Sequence, residues 1–136
     1  MNFENFNLYP AEWGQVAKLK SFAEKESVQM KPDEGKTKYI GGYNLHHIIG
    51  FVGWMVVGNK IRYKADYVFH NFRGKGIYTR MWKGRDEVVL KYMKEHGIKE
   101  ITAYCTKKSL PMYLKNGFVE QSVSKSGITF VRKIIK

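Results

Sequence analysis

Between residues 71 and 78 the chain reads Asn-Phe-Arg-Gly-Lys-Gly-Ile-Tyr, a basic turn with two glycines lying between a β-like run and a helix-like run. Those residue types suit a phosphate or pyrophosphate. Glycines let main-chain amides approach a ligand, Arg73 and Lys75 add positive charge, and a helix starting near Ile77 aims its positive end at the same place. The same residues also fit a plain strand-to-helix turn with solvated cations, so the turn gains weight only from its surroundings. Cys105 is the single cysteine, which excludes an internal disulfide and reads first as a buried packing residue, second as a nucleophile. His46 and His47 are adjacent, so on a strand they face opposite sides and cannot serve one metal; no metal site is expected.

Something must hold that turn. A chain of 136 residues suits one domain spanning 1–136, and 43% hydrophobic with 15% aromatic residues excludes a disordered chain. No apolar stretch approaches the ~20 residues that span a bilayer, and the start Met-Asn-Phe-Glu-Asn-Phe lacks the pattern of a leader, so a soluble, cytoplasmic protein without a membrane partner is expected. The net charge of +12 is spread over clusters at Lys18 to Lys25, Arg73 to Arg85, Lys107 to Lys115 and Lys125 to Lys136. Such a field attracts polyanions, so nucleic acid is a possible partner.

Apolar spacing predicts a helix from Pro10 to Glu26, with Pro10 in its first turn, then a polar loop over 27–37 with nothing that asks to be buried. Three β-rich runs follow, Lys38 to Leu45, His46 to Val57 and Lys60 to Phe69, the last two joined by Gly58-Asn59. After the glycine turn, Ile77, Met81, Val88, Tyr92 and Met93 mark one face of a helix from Ile77 to His96, closed by Gly97. A strand from Ile98 to Cys105, a short helix from Ser109 to Asn116 capped by Ser109, and strands at Phe118 to Val123 and Ile128 to Ile134 complete the chain. Strand, turn, helix and strand from Lys60 to Cys105 make a β-α-β unit, so the fold class is α+β with a central mixed, mostly antiparallel sheet flanked by helices.

Two segments resemble one family. Arg73-Gly74-Lys75-Gly76-Ile77-Tyr78 resembles the Arg/Gln-x-x-Gly-x-Gly/Ala turn of the GNAT superfamily of acyl-CoA-dependent N-acyltransferases, and Thr106 to Phe118, with Tyr113 four residues before Gly117-Phe118, resembles its second signature. The resemblance covers about residues 45 to 122 and implies a GNAT-like fold, acetyl-CoA as co-substrate and an amine acceptor that the sequence does not name. It also implies that the amides of Arg73, Gly74, Lys75, Gly76, Ile77 and Tyr78 hold the pyrophosphate, that the open strand edge at Tyr67, Val68 and Phe69 holds the pantetheine arm, and that the Thr106 hydroxyl stands in for the family's usual Asn. Tyr78 replaces a small residue, with its ring free to point away.

Acyl transfer to an amine needs a proton removed from nitrogen and one supplied to the leaving sulfur. The resemblance makes Tyr113 the acid, its phenol being protonated at neutral pH. For the base, Asp66 ranks ahead of His70, both on the run leading into the turn, although a strand carboxylate equally pairs with Arg62 or Lys64. A GNAT-fold protein that binds nucleic acid or modifies bases, and a non-catalytic acyl-CoA-binding module, are the competing readings. Tyr39, Tyr43, Trp54, Tyr63 and Tyr67 could stack bases, though their strand spacing suits a core better.

Overall fold

Alternating apolar and polar residues form strands wherever one face has a helix to bury against, and here two helical layers supply that cover. In the computed structural model, which describes residues 6–28 and 30–136, the elements are β1 (Phe6–Ala11), α1 (Trp13–Val16), a 3-10 turn at Ala17–Leu19, α2 (Lys20–Glu24), β2 (Lys38–Asn44), β3 (His47–Val57) and β4 (Lys60–Val68). A 3-10 turn at His70–Phe72, α3 (Ile77–His96), β5 (Glu100–Cys105), α4 (Leu110–Lys115), β6 (Val119–Val123) and β7 (Thr129–Ile134) complete them. Residues 1–5, read above for a leader, and Gln29 of the polar loop lie outside the described residues.

The seven strands form one sheet in the order β1-β2-β3-β4-β5-β7-β6, and only the β4–β5 pair is parallel. The α+β class with a mixed, mostly antiparallel sheet is therefore what the chain adopts. Its start differs from expectation: Pro10 lies in β1, paired with Ile40, and the helical part breaks into α1, a 3-10 turn and α2. A proline without an N–H is tolerated there because β1 is an edge strand. The polar loop differs too, since Met30 is only 2% exposed and anchors it in the core beside Val16 and Tyr39.

Helix α3 lies across the sheet. Ile77, Met81, Trp82, Arg85, Val89 and Met93 form its buried face, whereas Val88, expected on that face, is 48% exposed. Gly76 and Gly97 sit at its two ends with φ of 78° and 69°, left-handed conformations in which glycine escapes the Cβ penalty. One cluster of buried residues packs α3 and α4 on β4, β5 and β7, while another packs α1 and α2 on β2, β3 and β4. Tyr39, Trp54, Tyr63 and Tyr67 are buried in these clusters and Tyr43 is partly buried, so the five aromatics serve packing.

Two irregularities in β4 prepare the site. Phe51 pairs with Tyr67 but Gly53 pairs with Lys64, so Val52 faces two residues, and Ala65 takes φ of 58°. This bulge resets the alternation: Ile61 and Tyr63 face α3 before it, and Asp66 and Val68 face α3 after it. The second irregularity is that β4 pairs with β5 only at Ile61, Arg62 and Tyr63, although both strands continue. Beyond Tyr63 a cleft lies between them.

Candidate active site

The cleft encloses about 660 Å³ and is lined by β4 from Arg62 to Val68, by the glycine turn and first turn of α3, by Tyr104, Thr106, Lys108, Ser109 and Tyr113, and by Glu26, Ser27 and Val28 from beyond α2. Thus Asp66, Tyr67, Val68, Arg73, Gly74, Gly76, Ile77, Tyr78, Thr106 and Tyr113 come together. Phe69 and Lys75 do not line it. The Phe69 amide donates to Ile49 of β3 and its ring packs on Phe22, so it belongs to the opposite side of the strand. His70 is exposed, stacked on Phe69, and likewise outside the cleft.

At the floor lies a buried polar centre built on Asp66. Its Oδ1 accepts from Arg85 Nη1 at 2.6 Å; its Oδ2 accepts from the Tyr78 hydroxyl at 2.6 Å, the Tyr113 hydroxyl at 2.9 Å and Arg85 Nη2 at 3.2 Å. Arg85 is fully buried, donates also to the Gly53 carbonyl, and lies over Tyr63 and Trp82 with its guanidinium carbon 3.8 and 4.5 Å from their ring centroids. Burial works against its charge, but the Asp66 carboxylate outweighs burial and holds its pKa above the ordinary value. Burial, reinforced by the Asp66 charge, pushes the Tyr113 and Tyr78 phenols above theirs.

This geometry revises two expectations. Four donors already contact the Asp66 carboxylate, one at Oδ1 and three at Oδ2, and its charge is paired with Arg85 at 2.6 Å. The ion-pair partner is not Arg62 or Lys64 but Arg85, 19 residues further on, which falls on the apolar face of α3 between Trp82 and Val89. A charge at that helical position was the available signal. The Tyr78 ring does not point away; its hydroxyl shares Asp66 with Tyr113.

The glycine turn has a different character. Gly74 and Gly76 adopt φ of 76° and 78°, and space is open where a Cβ would stand. The first turn of α3 has no side-chain cap and no acidic residue of its own, and the positive end of this 20-residue helix lines the cleft. A pyrophosphate fits such a cradle. Arg73 instead reaches across: its Nε donates to the Val68 carbonyl at 2.8 Å and its Nη2 meets Glu26 at 2.5 Å, while Lys108 holds the other Glu26 oxygen. Hydrogen bonding from Arg73, helped by Lys108, holds the Glu26 carboxyl down to about 2 against the opposing effect of burial. Glu26 and Lys108 carried no motif and went unnoticed in the sequence.

On the opposite lip, Thr106 and Ser109 lock together. The Thr106 amide donates to Ser109 Oγ at 3.1 Å, and the Ser109 amide donates to Thr106 Oγ1 at 3.3 Å. Ser109 therefore does not cap α4 with its side chain, and the Thr106 hydroxyl is occupied in shaping the turn. Cys105 is fully buried beneath, and burial pushes its thiol up to about 12, which suits packing and not attack.

The family model for an acetyltransferase (GNAT) domain matches residues 10–134. Solved structures share the fold: an acetyltransferase of the GNAT family from Staphylococcus aureus Mu50 is 17% identical, with TM-score 0.70 over 96% of this chain and 99% of that one. PaiA N-acetyltransferase from Thermoplasma acidophilum, solved in complex with coenzyme A, is 15% identical, with TM-score 0.71 over 95% and 98%. The ribosomal-protein-S18-alanine N-acetyltransferase from Escherichia coli is 10% identical, with TM-score 0.71 over 96% and 94%. Among curated proteins no sequence match is found.

Proposed function

The chain belongs to the GNAT acetyltransferase family, whose members draw their acetyl group from acetyl-CoA, and on that premise we propose that it transfers this group directly to an amine within the cleft between β4 and β5. One observation carries the reading: an uncapped helix start behind two left-handed glycines opens on the same cleft as the Asp66–Tyr113 centre. The amides from Arg73 to Tyr78 would hold the pyrophosphate. The edge of β4 past Tyr63, which no residue of β5 pairs, would hold the pantetheine arm at Tyr67 and Val68, with the Val68 carbonyl available only when Arg73 releases it.

Acetyl-CoA supplies the thioester carbon that the amine attacks. As the C–N bond forms and the C–S bond breaks, one proton leaves nitrogen and sulfur gains negative charge. Tyr113 serves that charge as a donor. Its phenol resists ionisation, so it stabilises the thiolate by hydrogen bonding, after its O–H swings from Asp66, better than by giving up its proton. Asp66 is then a positioning residue that, with Arg85 and Tyr78, fixes where the Tyr113 oxygen stands.

Among the described residues, Glu26 and Asp66 are the acids lining the cleft and both are paired, so neither is free to take nitrogen's proton. It passes to water, so the acid limb of kcat/KM follows the ionisation of the acceptor amine itself. Calorimetric titration of acetyl-CoA into the wild-type protein and a Gly76→Glu variant tests the reading. Micromolar binding that weakens at least tenfold in the variant is expected; no binding to the wild type would sink it.

A further inference from the structure

Arg62 stands apart from the other cations of the sheet. It lines the cleft on the face of β4 opposite α3, since its neighbours Ile61 and Tyr63 are buried on the α3 side. Its guanidinium carbon lies 5.2 Å from the Tyr104 ring centroid, and Tyr104 in turn packs on Phe130 at 5.0 Å. Among the described residues the Arg62 side chain has no hydrogen bond or ion pair, and its Nε is buried without a partner. By contrast, Lys60 and Arg132 are both paired with Glu100 at 3.1 and 3.9 Å.

A guanidinium set over a ring, desolvated at one nitrogen and lacking a counter-ion among the described residues is a poor structural device. Burying an unsatisfied donor is costly, and nothing in the fold repays it. It is a good receptor, because the fork matches a planar or tetrahedral oxyanion and the contact with the Tyr104 ring restricts its motion. Lys64 lines the cleft two residues along on the same strand and adds charge of the same sign. Glu100 offsets one of the two charges of Lys60 and Arg132, so the positive charge around Arg62 is interrupted, which favours one anionic group over a polynucleotide backbone.

Resting on the acetyltransferase reading, we infer that the acceptor is a small amine carrying its own acid group, a carboxylate or a phosphate, which Arg62 binds beside Tyr104 while the amine points to the floor of the cleft. A carboxylate and a phosphate share this chemistry, so the experiment separates them.

The test measures thiol release from acetyl-CoA with amines that differ only in the acid: amino acids against their amides, and phosphoethanolamine against ethanolamine. Amides carry the less basic amines, so a preference for the amino acids cannot come from amine availability. At least a tenfold higher kcat/KM for the acid-bearing member of one set is expected, and the set that shows it names the anion. Arg62→Gln should reduce that preference to within about twofold, mainly through KM, while Arg62→Lys restores part of it and calorimetric affinity for acetyl-CoA stays within about twofold.

A merely structural Arg62 would lower both members of a pair together. Equal use of acidic and neutral amines, a preference untouched by Arg62→Gln, or no turnover of any acidic amine by a protein that binds acetyl-CoA overturns the inference. Transfer to a single-stranded oligonucleotide with none to the small acids overturns it in favour of a polyanion. Failure to bind acetyl-CoA at all is a different result, and it removes the acetyltransferase reading itself.

Discussion

The two ends of the cleft handle charge by opposite means. At the glycine turn the positive end of α3 is made of backbone amides, open to solvent, with no side chain capping it. At the floor, charge is carried by side chains from three elements, with Asp66 on β4, Tyr78 and Arg85 on α3 and Tyr113 on α4, and Arg85 has no exposed surface. The first end depends on dihedral angles, which its two left-handed glycines supply. The second tolerates any dihedral angle that keeps four side chains in contact, and depends on their identity. A site for a transient ligand can be open because the ligand supplies the counter-charge; a permanent charge inside the protein must carry its own.

The largest effect should come from breaking the floor. Arg85→Ala leaves Asp66 buried beside two phenols with no cation, and a loss of about 3–5 kcal/mol in chemical denaturation is expected. The double variant Asp66→Asn, Arg85→Met should cost less than the sum of the two single changes. A loss under about 1 kcal/mol for Arg85→Ala would show that the centre is not closed as described.

Next is Tyr113→Phe, which removes the donor but keeps the ring packed on Trp82 and Phe118. A fall in kcat on the order of 10² is expected from the loss of a positioned hydrogen-bond donor to the leaving sulfur, with acetyl-CoA affinity nearly unchanged. An unaltered kcat would remove Tyr113 from the chemistry.

Smaller still is a change at the open end. Gly76→Ala and Gly97→Ala force an alanine into the same left-handed region at the two ends of α3, each costing roughly 1–2 kcal/mol. Only Gly76→Ala should weaken acetyl-CoA binding in calorimetry, since Gly97 lies at the far end of the helix. Equal effects on binding would mean that the turn acts through stability alone.

Smallest is the Glu26 bridge between the lips. Its carboxyl is held near 2, below an ordinary value of 4.5, so the bridge stabilises the fold above about pH 4.5 and that contribution disappears as pH falls towards 2. Because Lys108 is 67% exposed, the contribution should be about 1 kcal/mol. Comparing wild type with Glu26→Gln, the stability difference should shrink between pH 5 and pH 2; a constant difference over that window (the range ~2–5 set by linkage) would argue against the bridge.

Most of the layout was readable from local signals. The glycines bounding α3, the hairpin turn at Gly58-Asn59, and the order of strand, turn, helix and strand from Lys60 to Cys105 all reflect demands made within a few residues. The misses share a cause. Pro10 reads as a helix start until β2 is present to make β1 an edge strand. Met30 reads as part of a polar loop until the α1–α2 layer offers it a pocket. Val88 and Val89 compete for one helical face, and only packing on the sheet turns Val89 inward.

The sequence by itself determined the glycine turn, because left-handed backbone, a helix start and local charge are properties of consecutive residues. Only the tertiary structure decided the surroundings of Asp66 and Arg62. The bulge at Ala65 turns Asp66 towards α3, where Arg85, Tyr78 and Tyr113 meet it from positions 19, 12 and 47 residues away. The same alternation leaves Arg62 on the other face with Tyr104 beneath it and, among the described residues, no ion-pair partner. Which charges are satisfied is a question of long-range proximity in a low-dielectric interior, and spacing along the chain does not contain the answer.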